Sequence, residues 1–233
     1  MQNPILSVLR ENKAKLFPVM GTKFKPEDYC EIDLSIYNTE FEVIDVESFE
    51  GLADHIHESL VDNDAKVGIG GYGENRPIYR SSTLYSDDPS KCRCIHLGID
   101  VWTEVQSKVF CPLDGIVHSF HDNNKELDYG GTIILEHKLA GAIFYTLYGH
   151  LSTKSLDKLE KGKKIEKGTC FAKLGPREEN GGWPPHLHFQ LILDMLGMDG
   201  DFPGVATELE SAYYMDICPN PAVFFEETGV FDN

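Results

Sequence analysis

Trp183-Pro184-Pro185-His186-Leu187-His188-Phe189-Gln190 is the stretch that decides how the rest of the chain is read. Two imidazoles two positions apart point the same way only from an extended backbone, because strand side chains alternate between faces. Pro184 and Pro185 exclude a helix interior, and Phe189-Gln190-Leu191-Ile192 continues as a buried strand. The stretch therefore predicts a β-strand presenting His186 and His188 from one sheet face. One ring can then bind a metal while the other lies within reach of what the metal activates.

Around this strand, from about Ile95 to Leu193, short β runs at 109–110, 115–117, 132–136, 143–148 and 189–192 are punctuated by Gly, Asp and Asn. Many short strands with hardly a helical stripe predict a mainly β domain, a β-sandwich or partly open barrel. Lys161-Gly162-Lys163-Lys164-Ile165-Glu166-Lys167-Gly168 resembles the turn-strand-turn hairpin of lipoyl- and biotinyl-like folds, the duplicated hybrid motif. Residues 1–90 read as an α/β extension. Asn3-Pro4 with Ile5, Leu6, Val8, Leu9 and Leu16 predicts a capped amphipathic helix. Residues 30–36 and 41–45 alternate as strands, and Phe49, Leu52, Ala53, Ile56 and Leu60 keep helical spacing after a cap at Asp45 or Ser48. The acidic, proline-bearing 199–233 is expected to be a surface tail or linker. The expected organisation is thus 1–90 accessory extension, 91–198 β domain and 199–233 tail.

Composition narrows the class. A chain of 233 residues with 41% hydrophobic content supports one sizeable core with an extension. A formal charge of -17 repels phosphate backbones and anionic surfaces, so neither nucleic acid nor membrane is expected as a partner. Six cysteines are too sparse for a disulfide scaffold. With no recognisable leader at the first residues, reduced thiols and a cytoplasmic setting are expected.

The chemistry lies in the histidines. His96-Leu97-Gly98-Ile99-Asp100 places an imidazole and a carboxylate four apart, on one face of a strand, with Gly98 allowing close backbone approach. Adding one ring of His186-Leu187-His188 gives two nitrogens and one oxygen, the donor set of a catalytic zinc with its fourth position left to water. Tyr148-Gly149-His150-Leu151 ends the most aromatic strand and supplies a partner for that water. His55-Ile56-His57 is the control: on a helix, residues two apart diverge by about 200°, so these rings cannot share an ion. Cys92 and Cys94, without a second cysteine pair nearby, read as plain thiols, and His118, His121 and His137 as structural or surface residues. Arg76 and Arg80 belong to a loop leading to the first motif; each reads as a surface arginine, and either could orient a substrate carboxylate.

The three motifs, His96-x-x-x-Asp100, Tyr148-Gly149-His150-Leu151 and Pro185-His186-Leu187-His188-Phe189, occur in the order and approximate spacing of the LytM/lysostaphin-type zinc metallopeptidases, which the chain resembles over about Cys94 to Gln190. The resemblance implies that His96, Asp100 and His188 hold one Zn2+ per chain and that His150 and His186 face the bound water and substrate. It implies hydrolysis of peptide bonds in a peptide or peptidoglycan-derived substrate. Where the family commonly has a Gly/Ser-rich approach to the two histidines, this chain has Gly181-Gly182-Trp183, so Trp183 is expected to narrow the cleft. Tyr148, Trp183 and Arg80 complete the expected substrate contacts. Two alternatives remain at this level: a phosphocarrier-like domain of a sugar phosphotransferase system, which would need neither His188 nor Asp100 as ligands, and a non-catalytic peptide-binding module on the same fold.

Overall fold

The computed structural model describes residues 3–79 and 92–225. The strands are β1 (Tyr29–Ile32), β2 (Val67–Gly70), β3 (Arg93–His96), β4 (Ile99–Trp102), β5 (Lys108–Phe110), β6 (Gly115–Asn123), β7 (Gly130–Leu139), β8 (Ala142–Leu151), β9 (Lys164–Ile165), β10 (Cys170–Lys173), β11 (His186–Ile192) and β12 (Val205–Thr207). Eight of them form one open sheet in the order β1-β2-β4-β11-β8-β7-β6-β9, antiparallel except for the parallel pair β1–β2. Two small antiparallel sheets, β5–β10 and β3–β12, complete a mainly β architecture. Helices are few: α1 (Pro4–Glu11), α2 (Phe49–Asp62) and α3 (Ser211–Ile217). Among the described residues no helix is long and apolar enough to cross a membrane.

Alternation along the central strands separates two environments. Ile99 and Val101 of β4, Leu187 and Phe189 of β11, and Val67 and Ile69 of β2 share a core with Val109 of β5 and Ala172 of β10. The intervening Asp100, Trp102, His186, His188 and Gln190 therefore project from the opposite face. The predicted strand at the His186-Leu187-His188 motif is present, and β6, β7 and β8 contain the runs read at 115–117, 132–136 and 143–148. All six cysteines are free thiols.

At the N-terminus, Asn3 caps α1 by accepting from the Ile5 amide, and Ser48 caps α2 by accepting from Gly51. The expected strand at 30–36 stops at Ile32, where Asp33 turns the chain by accepting from the Ser35 amide at 2.8 Å. The expected strand at 41–45 does not form. Its first residues lie in a 3-10 turn, Thr39–Glu42, capped by Asn38, and Val43 is exposed. Alternation there had no strand edge to pair with, and a local cap decided the conformation. Residues of the extension do not stand apart from the sheet: β2 pairs with β4, Gly70 directly opposite Asp100.

Nor does 199–225 behave as a surface tail. β12 pairs with β3, Phe202, Ala206 and Cys218 are buried with Leu97, Leu147 and Ile192, and Val223 packs with Phe144 and Leu191. The acidic residues that suggested a tail occupy the outer side of a segment whose apolar residues close the core; its strand partner is too remote in sequence for a local pattern to reveal.

His137 is structural, as expected. It is buried, with Nδ1 donating to Asp114 O at 3.1 Å and Nε2 lying 2.7 Å from Thr146 Oγ1. Burial is the main cause that pulls its pKa down from 6.5 to about 4. The unfolded chain protonates this group near pH 6.5 whereas the folded chain resists until about pH 4, so its contribution to stability is full above pH 6.5 and is lost as pH falls between the two, by about 3 kcal/mol at most. His137→Gln should flatten the fall in Tm across that window relative to wild type; an unchanged acid slope would contradict this account.

Candidate metal centre

His96 and Asp100 converge, but not on a single strand. β3 ends at His96 and pairs with β12, the chain turns at Leu97 and Gly98, and β4 begins at Ile99 in the large sheet. The approach is close at the turn: a Cβ on Gly98 would sit 2.6 Å from His188 Cε1. Across the sheet, Asp100 is directly opposite His188 and Trp102 opposite His186, so the two strands carry the site as cross-strand pairs.

Asp100 Oδ1 lies 3.3 Å from His96 Nε2 and 3.2 Å from His188 Nδ1, and those two nitrogens are 3.0 Å apart. Donors about 2.0–2.1 Å from one ion at tetrahedral angles are separated by about 3.3–3.4 Å, so the three atoms stand close to the spacing zinc requires. The far nitrogen of each of the two imidazoles is already committed. His96 Nδ1 donates to Gly71 O at 2.8 Å. His188 Nε2 donates to Gln190 Oε1 at 3.0 Å, and the Gln190 amide is oriented by donating to Pro203 O and Cys218 Sγ. The two inward nitrogens therefore face each other as lone pairs beside a carboxylate, an arrangement a divalent cation satisfies. Among the described residues this trio is the one cluster suited to a metal ion.

The second imidazole pair adjoins it. His186 Nε2 is 3.8 Å from Asp100 Oδ1, and its ring stacks on Trp102 at 4.0 Å. The His150 ring is 4.1 Å from that of His186. His186 Nδ1 donates to Pro184 O and His150 Nδ1 to Asn180 O, both at 2.8 Å, which leaves each Nε2 with its lone pair. His150 has φ of 62°, a left-handed conformation that breaks the alternation of β8. That break separates it from Tyr148. Tyr148 is fully buried in the core on the other face, against Phe171 and Phe189, and so, contrary to expectation, is not part of the cleft. Trp183 does wall the cleft, edge-on to His150 and His186, held by Asn180, which bonds its amide and its carbonyl. Gly181, at φ of 85°, is needed for this turn, since a Cβ there would meet Asp128 O at 1.8 Å. Arg80 lies outside the described residues.

Arg76 is buried rather than on the surface, pairing with Asp100 Oδ2 at 2.6 Å and Glu74 Oε2 at 2.8 Å. The sequence reading also missed Tyr129, whose ring leans on His150 and His188, and Trp102. Trp102 was findable by continuing the alternation two residues past Asp100; Tyr129 sits at the end of a turn with no periodic signal. Together these groups line a cleft of about 290 Å3 with Lys125, Leu127 and Phe202 at its walls.

Burial is the first cause that lowers His96 and His186 to about 4 and His150 well below the usual imidazole range. Burial works to raise Asp100, but His96 and Arg76 overcome it and hold the carboxyl well below its ordinary value. At neutral pH His96, His150 and His186 are neutral beside an ionised Asp100, the protonation state in which such groups ligate.

Residues 94–199 match the model of peptidase family M23, a span that includes His96, Asp100, His150, His186 and His188. Among solved structures, lysostaphin from Staphylococcus simulans is 21% identical with a TM-score of 0.40, the match covering 59% of this chain and 46% of that one. A zinc containing peptidase from Vibrio cholerae is 28% identical with a TM-score of 0.34, over 42% of this chain and 27% of that one. The chain thus spans less than half the length of either protein. Comparison with curated proteins finds no match. Residues 94–199, the segment that carries the whole histidine and aspartate cluster, are thus similar to peptidase family M23.

Proposed function

We propose that the chain is a zinc-dependent endopeptidase that hydrolyses peptide bonds in peptidoglycan-type or glycine-rich peptides. The observation that carries the reading is the convergence of His96 Nε2, Asp100 Oδ1 and His188 Nδ1 within 3.3 Å, with two further imidazoles alongside. His96, Asp100 and His188 would hold the ion, whose chemistry is Lewis acidity toward the scissile carbonyl and the attacking water. The remaining work falls to the chain's own groups. Neutral Nε2 atoms of His150 and His186 are placed to take the proton of the attacking water and to return a proton to the amine as the C–N bond breaks and the new C–O bond forms. Their Nδ1 bonds to Asn180 O and Pro184 O keep both rings from rotating away. Trp183, Tyr129 and Trp102 line the cleft and would restrict it to a narrow chain.

This reading retains a lipoyl/biotinyl-like framework for the 91–198 unit, with the 1–90 extension joined to it through the pairing of β2 with β4. The phosphocarrier alternative draws no support from a family match that falls on peptidases. The test is a digest of zinc-loaded protein against glycine-rich peptides, murein fragments and mixed D/L dipeptides, with chelator-treated protein as control. Hydrolysis of one class, abolished by the chelator and restored by zinc, is expected. Tight peptide binding without turnover by zinc-loaded protein would instead mark a non-catalytic module.

A further inference from the structure

Two of the three proposed ligands are positioned from outside the segment that matches the family. Gly71 O accepts the Nδ1 proton of His96, and Arg76 donates to the outer oxygen of Asp100; both residues precede residue 94. The stretch that bears them is stitched to the motif by backbone. Gly73 N donates to His96 O at 2.8 Å, His96 N to Glu74 O at 2.9 Å, and Arg76 N to Cys94 O at 2.9 Å. On the other side β2 pairs with β4, Gly70 opposite Asp100. Gly70 also makes room for the guanidinium, since a Cβ there would stand 3.0 Å from Arg76 Nη2 and 3.3 Å from Trp102 Nε1.

We propose that the 71–76 segment is an integral part of the metal centre, with Arg76 a positioning residue that occupies Asp100 Oδ2 and so restricts this carboxylate to a single ligating oxygen. The inference rests on the metal reading proposed above. A carboxylate free at both oxygens can close on an ion in bidentate fashion and take the position that water and substrate need. Arg76 prevents this because its fork is fully employed: Nη1 on Asp100, Nε on Glu74, and Nη2 toward Gly71 O at 3.5 Å. Glu74 in turn is held against the guanidinium and keeps it from swinging into the cleft. Gly71 does the complementary work on His96, fixing the tautomer that turns Nε2 inward. The third ligand, His188, is held by Gln190 on its own strand.

The test uses the full chain, and reads zinc affinity by competition with a chromophoric chelator and coordination by the visible spectrum of the cobalt-substituted protein. The double variant Glu74→Gln/Arg76→Met leaves no unpaired carboxylate at position 74. It should bind zinc 10- to 100-fold more weakly, the usual effect of losing a group that orients a ligand. Its cobalt band should weaken from the four-coordinate towards the five-coordinate form as Oδ2 joins the ion. Arg76→Lys keeps one donor for Oδ2; a four-coordinate spectrum and an intermediate affinity are expected. A folded double variant with wild-type affinity and spectrum would overturn the proposal. If that variant does not fold, Arg76→Lys decides: weakened affinity supports the proposal and unchanged affinity overturns it. Wild-type protein that binds no zinc at all would remove the metal reading itself, a failure distinct from that of Arg76.

Discussion

Alanine at His150 or His186 is expected to lower peptide hydrolysis by roughly 10²- to 10⁴-fold, the range a positioned proton-transfer group contributes, while zinc remains bound. Both rings are buried, both hold their Nδ1 protons on backbone carbonyls, and neither belongs to the convergent trio. Loss of either should therefore leave the metal donors in place and remove only the acceptor of the proton. The two variants should differ in stability. His186 stacks on Trp102 at 4.0 Å and its removal should cost an additional ~1 kcal/mol, whereas the left-handed backbone at His150 is relieved of little by alanine. Turnover measured together with retained zinc decides the matter. A variant that keeps the full rate excludes that residue from the reaction, and one that loses zinc along with activity places it among the ligands.

Gly98→Ala should cause the largest combined loss of stability and metal. A Cβ at this position would lie 2.6 Å from His188 Cε1, 2.8 Å from His188 Nε2 and 2.8 Å from Phe189 O. The last contact is backbone inside the central sheet and has nowhere to go, so the ring must move. Overpacking of this kind costs about 1–3 kcal/mol. A displaced ring also breaks the 3.0 Å bond to Gln190 that keeps Nδ1 turned inward, and zinc affinity should fall by about 10- to 100-fold. A lowered Tm with weakened chelator competition is expected. Wild-type values for both would mean that the turn between β3 and β4 relaxes more freely than its close contacts imply.

The local pattern around His186 and His188 was legible because it depends only on the two-residue period of a strand, and β11 lies where that period put it. The cap at Asn3 was legible for the same reason, a side chain and an amide two residues apart, and that of α2 was narrowed to Asp45 or Ser48, of which Ser48 makes the bond. Alternation misled at 41–45, where Asn38 offered a competing local bond and no strand was adjacent. Acidity misled at 199–225, because surface charge says nothing about Phe202 and Val223 on the inner side. Arg76 was read as a surface arginine because burial of a guanidinium requires two carboxylates, and one of them, Asp100, is distant in sequence.

By itself, the amino-acid order determined the types of donor, their order along the chain, the strand that presents His186 and His188, and the β character of residues 95 to 193. Tertiary structure alone decided which nitrogen of each imidazole faces inward, that Tyr148 and His150 part to opposite faces, and that residues 71 to 76 hold the side chains of His96 and Asp100, two of the three proposed ligands. The division has a physical cause. Strand period, turns and caps are settled between neighbours a few residues apart, whereas a ring's tautomer and a carboxylate's free oxygen are settled by whichever carbonyl, amide or guanidinium the sheet pairing brings across, and that pairing joins segments far apart in the chain.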